Sequence, residues 1–365
     1  MSEQFNRLLP HITARVQRAI DERVMPGAVV GIITRDGDRG VFPFGKLTYD
    51  MEAVPVRADT LYDVASVTKS IPGSLALLKL LDDGRLALDD PLVNYVPEFD
   101  TDPAKRVVTL RHLLTYTLDL DVPAMSSLIL KGPEQIMEHI IRAPLKAAPG
   151  SAYRYNNATA LFTHLIVKSV TGKTLDQFAD EVLFGPLGMT RTTFAPLRFY
   201  SSDIAPTEVS EWRGELMWGK VHDESSYVLQ EKDVVSIAGL FSTAPDLLHI
   251  LEMLLRGGES GGRRFFSEQL VGEMSRNQFP ESVFFTGLGW EINEPYFMGL
   301  HAAECFGKTG FTGCSVLVNQ QLGAGIVLLS NAIYPKRPES TESRNLLRRD
   351  IANIVFDTLS FNEIS

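Results

Sequence analysis

The sequence predicts an α+β chain, with an antiparallel sheet built from both termini and a mostly helical segment inserted between them. Three observations predict it. AVVGIIT (28–34) and a second apolar run to Phe44 flank Arg35-Asp36-Gly37-Asp38, which reads as a β-hairpin. SVLVNQ (315–320) and GIVLLSN (325–331) flank a second tight turn at Gln321-Leu322-Gly323-Ala324. Between these ends the apolar residues recur at helical spacing.

Taken in order, Ile12, Val16, Ile20 and Val24 recur every four residues, so a first helix runs to about Arg23 and Pro26-Gly27 ends it. Residues 71–82 (IPGSLALLKLLD) predict a helix stopped by Gly84, and 158–170 another closed by Thr171-Gly172. Residues 195–235 show no sustained period and carry Trp212, Trp218 and Tyr227. Such a segment is either a surface excursion or a functional loop. The last helix shows Leu346, Leu347, Ile351, Ile354, Val355 and Leu359 on one face. Residues 1–60 and 285–365 therefore form the sheet part of one catalytic unit, and 61–284 the helical part. There is no internal repeat or low-complexity tract.

At 365 residues and 44% hydrophobic content, the chain can bury a large core. Its formal net charge is −10 and it has no long basic run, which argues against nucleic acid as a partner. Two cysteines, Cys305 and Cys314, do not suggest a disulfide framework. The opening MSEQFNRLLPHITARVQ lacks the apolar core of a signal peptide, and no apolar run is long enough to span a bilayer. A cytoplasmic protein with no membrane partner is the expectation; oligomeric state is not legible.

ASVTKS (65–70) raises the chemical question. Ser66 and Lys69 stand three apart, on one side of a first helical turn. The spacing alone favours a helix cap beside a solvated lysine. The other reading makes Ser66 a nucleophile and Lys69 its base, which requires an uncharged amine. A free lysine titrates near ~10.4, so neutrality at pH 7 costs about 4.6 kcal/mol. A second buried cation at ~6 Å would offset about 2–3 kcal/mol of that. The hypothesis therefore demands another lysine in the site and a further proton carrier. Tyr155-Asn156-Asn157, at a loop-to-helix junction, offers a phenol and an amide. Lys308-Thr309-Gly310 enters a strand and offers the lysine, with a glycine where a substrate can approach the strand edge. Singly, these read as a buried tyrosine and a glycine-rich strand entry.

Together and in this order, Ser66-Val67-Thr68-Lys69, Tyr155-Asn156-Asn157 and Lys308-Thr309-Gly310 resemble the S-x-x-K, Y-x-N and K-T-G marks of the serine β-lactamase and penicillin-binding-protein superfamily. The tyrosine form resembles the class C-like branch of esterases, D-amino-acid peptidases and acyltransferases. VMPGAVVGI (24–32), VTLRHLL (108–114), VHDE (221–224), AGLFSTAPDL (238–247) and GFTGCSVLV (310–318) extend the likeness along nearly the whole chain. The resemblance implies a β-lactamase-like fold. It implies that Ser66 is acylated, that Lys69 and Tyr155 share proton transfer, and that Asn157 fixes the Lys69 amine. It implies that Lys308 keeps Tyr155 deprotonation-prone and can attract a carboxylate, with Thr309 and Gly310 beside the substrate. The backbone N–H groups of Ser66 and Phe311 would form the oxyanion hole. Three departures bear on substrate choice. Thr115-Tyr116-Thr117-Leu118-Asp119 replaces the usual threonine-histidine-serine-glycine turn, Pro72 follows Lys69 closely, and Phe311 puts a ring beside the oxyanion site.

Rival signals are weaker. Gly258-Glu259-Ser260-Gly261-Gly262 matches a nucleophile elbow, but a leucine-rich helix rather than a buried strand precedes it, so it reads as a glycine turn. Gly307-Lys308-Thr309 lacks the glycine a phosphate loop needs at Ala302. The seven histidines form no H-E-x-x-H pair. His222-Asp223 reads as a loop hydrogen bond before it reads as a pocket wall. Cys305 and Cys314 read as packed thiols. The expectation is a serine hydrolase needing no cofactor and no metal, acting on a small ester, amide or β-lactam. Esterase action ranks first and D-amino-acid peptidase, amidase or β-lactamase action next. An acyltransferase, or a sensor that acylates without turnover, is the alternative of another class. Trp218 and Tyr227 are the candidates for lining the substrate pocket.

Overall fold

The computed structural model describes residues 3–123 and 129–360. Helix α1 (Glu3–Asp21) precedes strands β1 (Gly27–Thr34) and β2 (Arg39–Gly45). Helices α2 (Leu75–Asp82), α3 (Asn157–Thr171) and α4 (Ala244–Leu255) follow. Strands β3 (Glu291–Ile292), β4 (Cys305–Thr309), β5 (Ser315–Asn319) and β6 (Ala324–Ser330) lead into helix α5 (Glu342–Ser360). The six strands form one antiparallel sheet in the order β2-β1-β6-β5-β4-β3. The two hairpins expected from sequence are thus neighbours, with Ala28 opposite Ser330 and Thr34 opposite Ala324.

Both faces of the sheet are covered, which is why β1, β5 and β6 read as apolar runs rather than alternating ones. Ala28, Val30, Ile32, Leu317, Ile326 and Leu328 pack with α1 and α5. Val29, Ile33, Val316, Val318, Val327 and Leu329 belong to the larger core with α2, α3 and α4. Gly31 faces α4 closely, since a Cβ there would sit 3.3–3.4 Å from Leu248 and Ala244. Helix α4 therefore lies on the sheet, although it falls inside the stretch 61–284 read as the helical part. Its twelve-residue apolar face is long enough to cover three strands, and sequence position does not say which layer a helix joins.

Other differences have local causes. The helix expected at 71–82 starts at Leu75. Residues 69–74 make a wide turn instead, and Ile71 leaves helical geometry (φ −117°, ψ 108°) just before Pro72. Proline disfavours a helical residue before it, so the irregularity falls where that rule puts it. On α5, Leu346 is exposed and Ile354 half-buried. The buried stripe is Arg344, Leu347, Arg348, Ile351, Ala352, Val355, Phe356 and Leu359, so two arginines take places assigned to apolar residues. Segment 195–235 is more ordered than its composition suggests. Val209–Ser210 pairs with Glu215–Leu216, and Glu224–Leu229 is a short helix whose Asp223 side chain accepts the Ser226 N–H. Residues 259–264 form a small hairpin with Gly261 and Gly262 at positive φ, the glycine turn expected there. No described helix is long and apolar enough to cross a membrane.

Candidate active site

Ser66 sits on a turn between Tyr62–Asp63, which pairs with Phe241–Ser242, and the irregular helix start. Ala65 precedes it at φ 51°, a conformation that costs a non-glycine residue about 1–3 kcal/mol. Ser66 does not cap the helix. Its Oγ lies 3.0 Å from the Lys69 Nζ, which also donates to the Ile237 carbonyl at 2.7 Å. Lys69 is 3% exposed and has no carboxylate partner among the described residues. The solvated-lysine reading therefore fails, because the amine is buried against the serine.

Tyr155 reaches the same place from the loop before α3. Its ring lies 5.3 Å from the Lys69 Nζ and 4.3 Å from the Lys308 Nζ. The ring is 41% exposed and lines the cleft with Ser66. No hydrogen bond joins its hydroxyl to Ser66 or Lys69 in this state. Asn157 departs from its implied role: the Ile237 carbonyl, not its amide, holds the Lys69 amine. Its neighbour Asn156 instead caps α3, accepting the Thr159 N–H at 2.9 Å. An asparagine pair at a helix start leaves the cap to the first member, and the second enters the first turn.

Lys308 is fully buried on β4 and pairs with Glu291 on β3 at 2.8 Å. Burial works against its charge, but Glu291 and the Tyr116, Tyr155 and Tyr153 hydroxyls outweigh it, holding its pKa well above the usual lysine value. It is a permanent cation facing the Tyr155 ring. Tyr116, at φ 53° in the unusual Thr115–Asp119 turn, packs tilted on Tyr155 at 5.3 Å and meets Tyr153 edge-on at 6.0 Å. Thr309 meets Tyr296 Oη at 3.4 Å. Gly310 is required by close approach: a Cβ would fall 2.3 Å from the Val64 carbonyl. This contact brings the 310–314 turn against the Ser66 turn. Neither the Ser66 N–H nor the Phe311 N–H has an acceptor among the described residues. The cleft they share measures about 450 Å³. A larger cleft of about 870 Å³ beside Arg111 and Glu273 holds Ser267, whose hydroxyl is taken by Asp82, and no lysine.

Trp218 and Tyr227 are not brought to this cleft. Trp218 Nε1 bonds the carbonyls of Ser201 and Ile204, and its ring packs on Leu61, Ile204 and Phe241. Tyr227 meets Trp212 edge-on and lines a separate depression with Phe194 and Gly239. Both aromatics are used in packing away from the cleft, Trp218 against Leu61, Ile204 and Phe241 and Tyr227 against Trp212. Residues passed over in the sequence line the cleft instead: Tyr153, Glu291, Glu294, Tyr296, Arg344 and Arg348. Arg344 and Arg348 donate to the carbonyls of Phe311, Gly310 and Cys314, and no carboxylate pairs with either among the described residues. Burial and the neighbouring Arg348 pull the Arg344 pKa down to about 10. Glu294 is pushed up by burial and by Glu291.

His222 and Asp63 form a buried pair behind the nucleophile, with the His222 Nδ1 2.9 Å from Asp63 Oδ2. Burial disfavours the imidazolium, but Asp63 outweighs it and the His222 pKa rises. The His222 ring also stacks on Phe311 at 5.9 Å. Cys305 and Cys314 are buried free thiols, and burial pushes Cys314 up to about 11, which fits packing. Among the described residues no group of histidine, cysteine, aspartate and glutamate could hold a metal ion.

Comparison with known proteins agrees with this arrangement. A family model described as "Beta-lactamase" matches residues 12–350. A "Putative D-alanyl-D-alanine carboxypeptidase" of Escherichia coli K12 is 32% identical over 323 residues, covering 80% of this chain and 73% of that protein. The protein of the same name from Salmonella enteritidis is 30% identical, covering 76% and 71%. Among solved structures, a variant of simvastatin synthase from Aspergillus terreus superposes with a TM-score of 0.75 at 19% identity, covering 97% and 98% of the two chains. EstCE1, a hydrolase with promiscuous acyltransferase activity, gives 0.74 at 21% identity, covering 94% and 98%. A penicillin-binding-protein homologue from Pyrococcus abyssi gives 0.74 at 22%, covering 96% and 77%. The chain has the β-lactamase-like fold, is a serine hydrolase, and belongs to the β-lactamase family.

Proposed function

We propose that this hydrolase cleaves small neutral esters through an acyl-enzyme at Ser66. The observation that carries the reading is the Lys69 amine, buried without a carboxylate, 3.0 Å from the Ser66 hydroxyl and beneath two unoccupied backbone donors. Lys69 takes the hydroxyl proton as Oγ bonds the ester carbonyl carbon. The carbonyl oxygen becomes an oxyanion held by the Ser66 and Phe311 N–H groups, which are worth several kcal/mol there. The tetrahedral centre collapses and the C–O bond to the alcohol breaks. The departing alkoxide takes a proton delivered through Tyr155. Water then attacks the acyl carbon, giving up its proton by the same route, and Ser66 regains its own.

Preference for a neutral substrate follows from Lys308. Its charge is answered by Glu291, so it exerts little net pull on a substrate carboxylate. The D-alanyl-D-alanine carboxypeptidase reading is the second one. Arg344 and Arg348 favour it, because they wall the cleft without acidic partners and would attract a free carboxylate. The name carried by the relatives agrees with that reading. The test is a panel of p-nitrophenyl acyl esters, a D-alanyl-D-alanine peptide and a chromogenic cephalosporin, with fluorophosphonate labelling followed by mass spectrometry. One label on Ser66, lost in Ser66→Ala, and steady turnover of the neutral esters are expected. A label elsewhere refutes the site, and faster release of D-alanine than of nitrophenol refutes the ester preference.

A further inference from the structure

Asp63 lies three residues before Ser66 and is completely buried, yet it has no part in the chemistry outlined above. Its bonds run to three separate segments. One carboxylate oxygen accepts the Ala65 N–H at 2.8 Å. The other accepts the His222 backbone N–H and faces the His222 ring nitrogen, both at 2.9 Å. Its main-chain carbonyl accepts the Thr312 hydroxyl at 2.7 Å.

Those segments are the ones whose relative position decides the oxyanion site. Ala65 is the strained residue whose φ of 51° aims the Ser66 N–H. Thr312 follows Phe311, whose N–H is the second donor. The His222 ring lies nearly parallel to the Phe311 ring, 11° apart, and steadies that turn from its other side. A strained conformation persists only when its surroundings over-determine it, and a hydrogen bond to a charged acceptor is about twice as strong as a neutral one. We propose that Asp63 is a positioning residue, assisted by His222: it ties the Ser66 turn and the Phe311 turn to one buried point and so sets the spacing of the two oxyanion donors. This inference rests on the reading of Ser66 as the acylated residue.

A donor pair held apart by the wrong distance binds substrate as before but stabilises the developing charge less. The loss therefore appears in kcat rather than KM. Active sites are counted by fluorophosphonate labelling and intact mass, and kcat for p-nitrophenyl acetate is expressed per labelled Ser66. Asp63→Asn, whose one amide oxygen cannot accept from Ala65 and from His222 together, is expected to lose about 10–100-fold in kcat per site, with KM within about threefold. His222→Phe keeps a ring against Phe311 and the backbone bond but removes the ring's bond to Asp63, and about a tenfold loss is expected. His222→Asn restores a donor near the ring nitrogen and should recover to within about threefold of the wild-type enzyme. If Asp63→Asn does not fold, the two His222 variants decide alone. Unchanged kcat per labelled site in His222→Phe overturns the proposal, as does a greater loss in His222→Asn than in His222→Phe. A fall only in the number of labelled sites also overturns it, since that is what a purely structural role predicts. Wild-type protein that takes no label on Ser66 defeats the acyl-enzyme reading, and this inference with it. A labelled, active wild-type enzyme with indifferent variants defeats this inference alone.

Discussion

The two walls of the cleft are built on different principles. The wall carrying Ser66 and Lys69 is local: the serine and the amine are three residues apart on one turn, and a carbonyl holds the amine. The wall carrying Lys308 is assembled at long range. Its lysine comes from β4, its carboxylate from β3, and its arginines from α5. The first wall holds a lysine amine with no carboxylate beside it, and the second pairs its lysine with Glu291. Around the Lys69 amine stand only a hydroxyl and a carbonyl, whereas the Lys308 amine is held by a carboxylate that helps to keep its pKa well above the usual lysine value. Under the proposed mechanism the first amine reacts and the second organises.

Replacing Lys69 by methionine tests the first half of this contrast and carries the largest expected effect. Methionine fills similar space and removes the proton acceptor. A general base is typically worth 10²–10⁴-fold. Loss of that size in kcat/KM for a nitrophenyl ester is expected, with the thermal midpoint unchanged or higher because a buried amine is gone. A variant that retains more than a tenth of wild-type kcat/KM would show that Lys69 is not the base.

Glu291→Gln tests the other half. It leaves Lys308 buried and charged without its partner, which costs about 3–5 kcal/mol in comparable buried pairs. The urea midpoint should fall accordingly, while the released charge of Lys308 should raise kcat/KM for carboxylate-bearing substrates relative to neutral esters. An unshifted midpoint would mean that the pair is not what fixes Lys308. An unshifted ratio would mean that Glu291 does not set the charge preference.

The same contrast explains what was legible in the sequence. Ser66, Lys69, Tyr155 and the Lys308 strand could be read because short spacing and flanking motif preserve them as text. The hairpins were legible because apolar runs and turn residues are local signals. The pairing of Glu291 with Lys308 is a cross-strand register fact, and no spacing in the chain encodes it. Arg344 and Arg348 were hidden because an apolar-only reading of α5 excludes arginines, although carbonyls of the 310–314 turn accept from both when buried. Trp218 and Tyr227 were misplaced because aromatic residues in an aperiodic stretch look like pocket lining when the partners that bury them, such as Leu61 and Phe241 for Trp218, are distant in the sequence.

Acid should separate the two sides of the molecule as well, by a smaller amount. His164 lies on α3, the helix that follows Tyr155, and is almost fully buried with no partner for its Nδ1 among the described residues. Burial lowers its pKa from 6.5 to about 4, against a smaller opposing pull from Asp233. A histidine whose folded pKa lies below its unfolded value contributes stability that is complete above about pH 6.5. That stability drains away as pH falls toward 4, because the unfolded chain takes up the proton first. The loss should reach about 2 kcal/mol by pH 5, where most carboxylates remain ionised. Urea midpoints of the wild-type protein and His164→Gln at pH 7 and pH 5 measure it directly: the wild-type midpoint should drop further than that of the variant. Equal drops in the two proteins would place the acid-sensitive group elsewhere than on the helical side of the cleft.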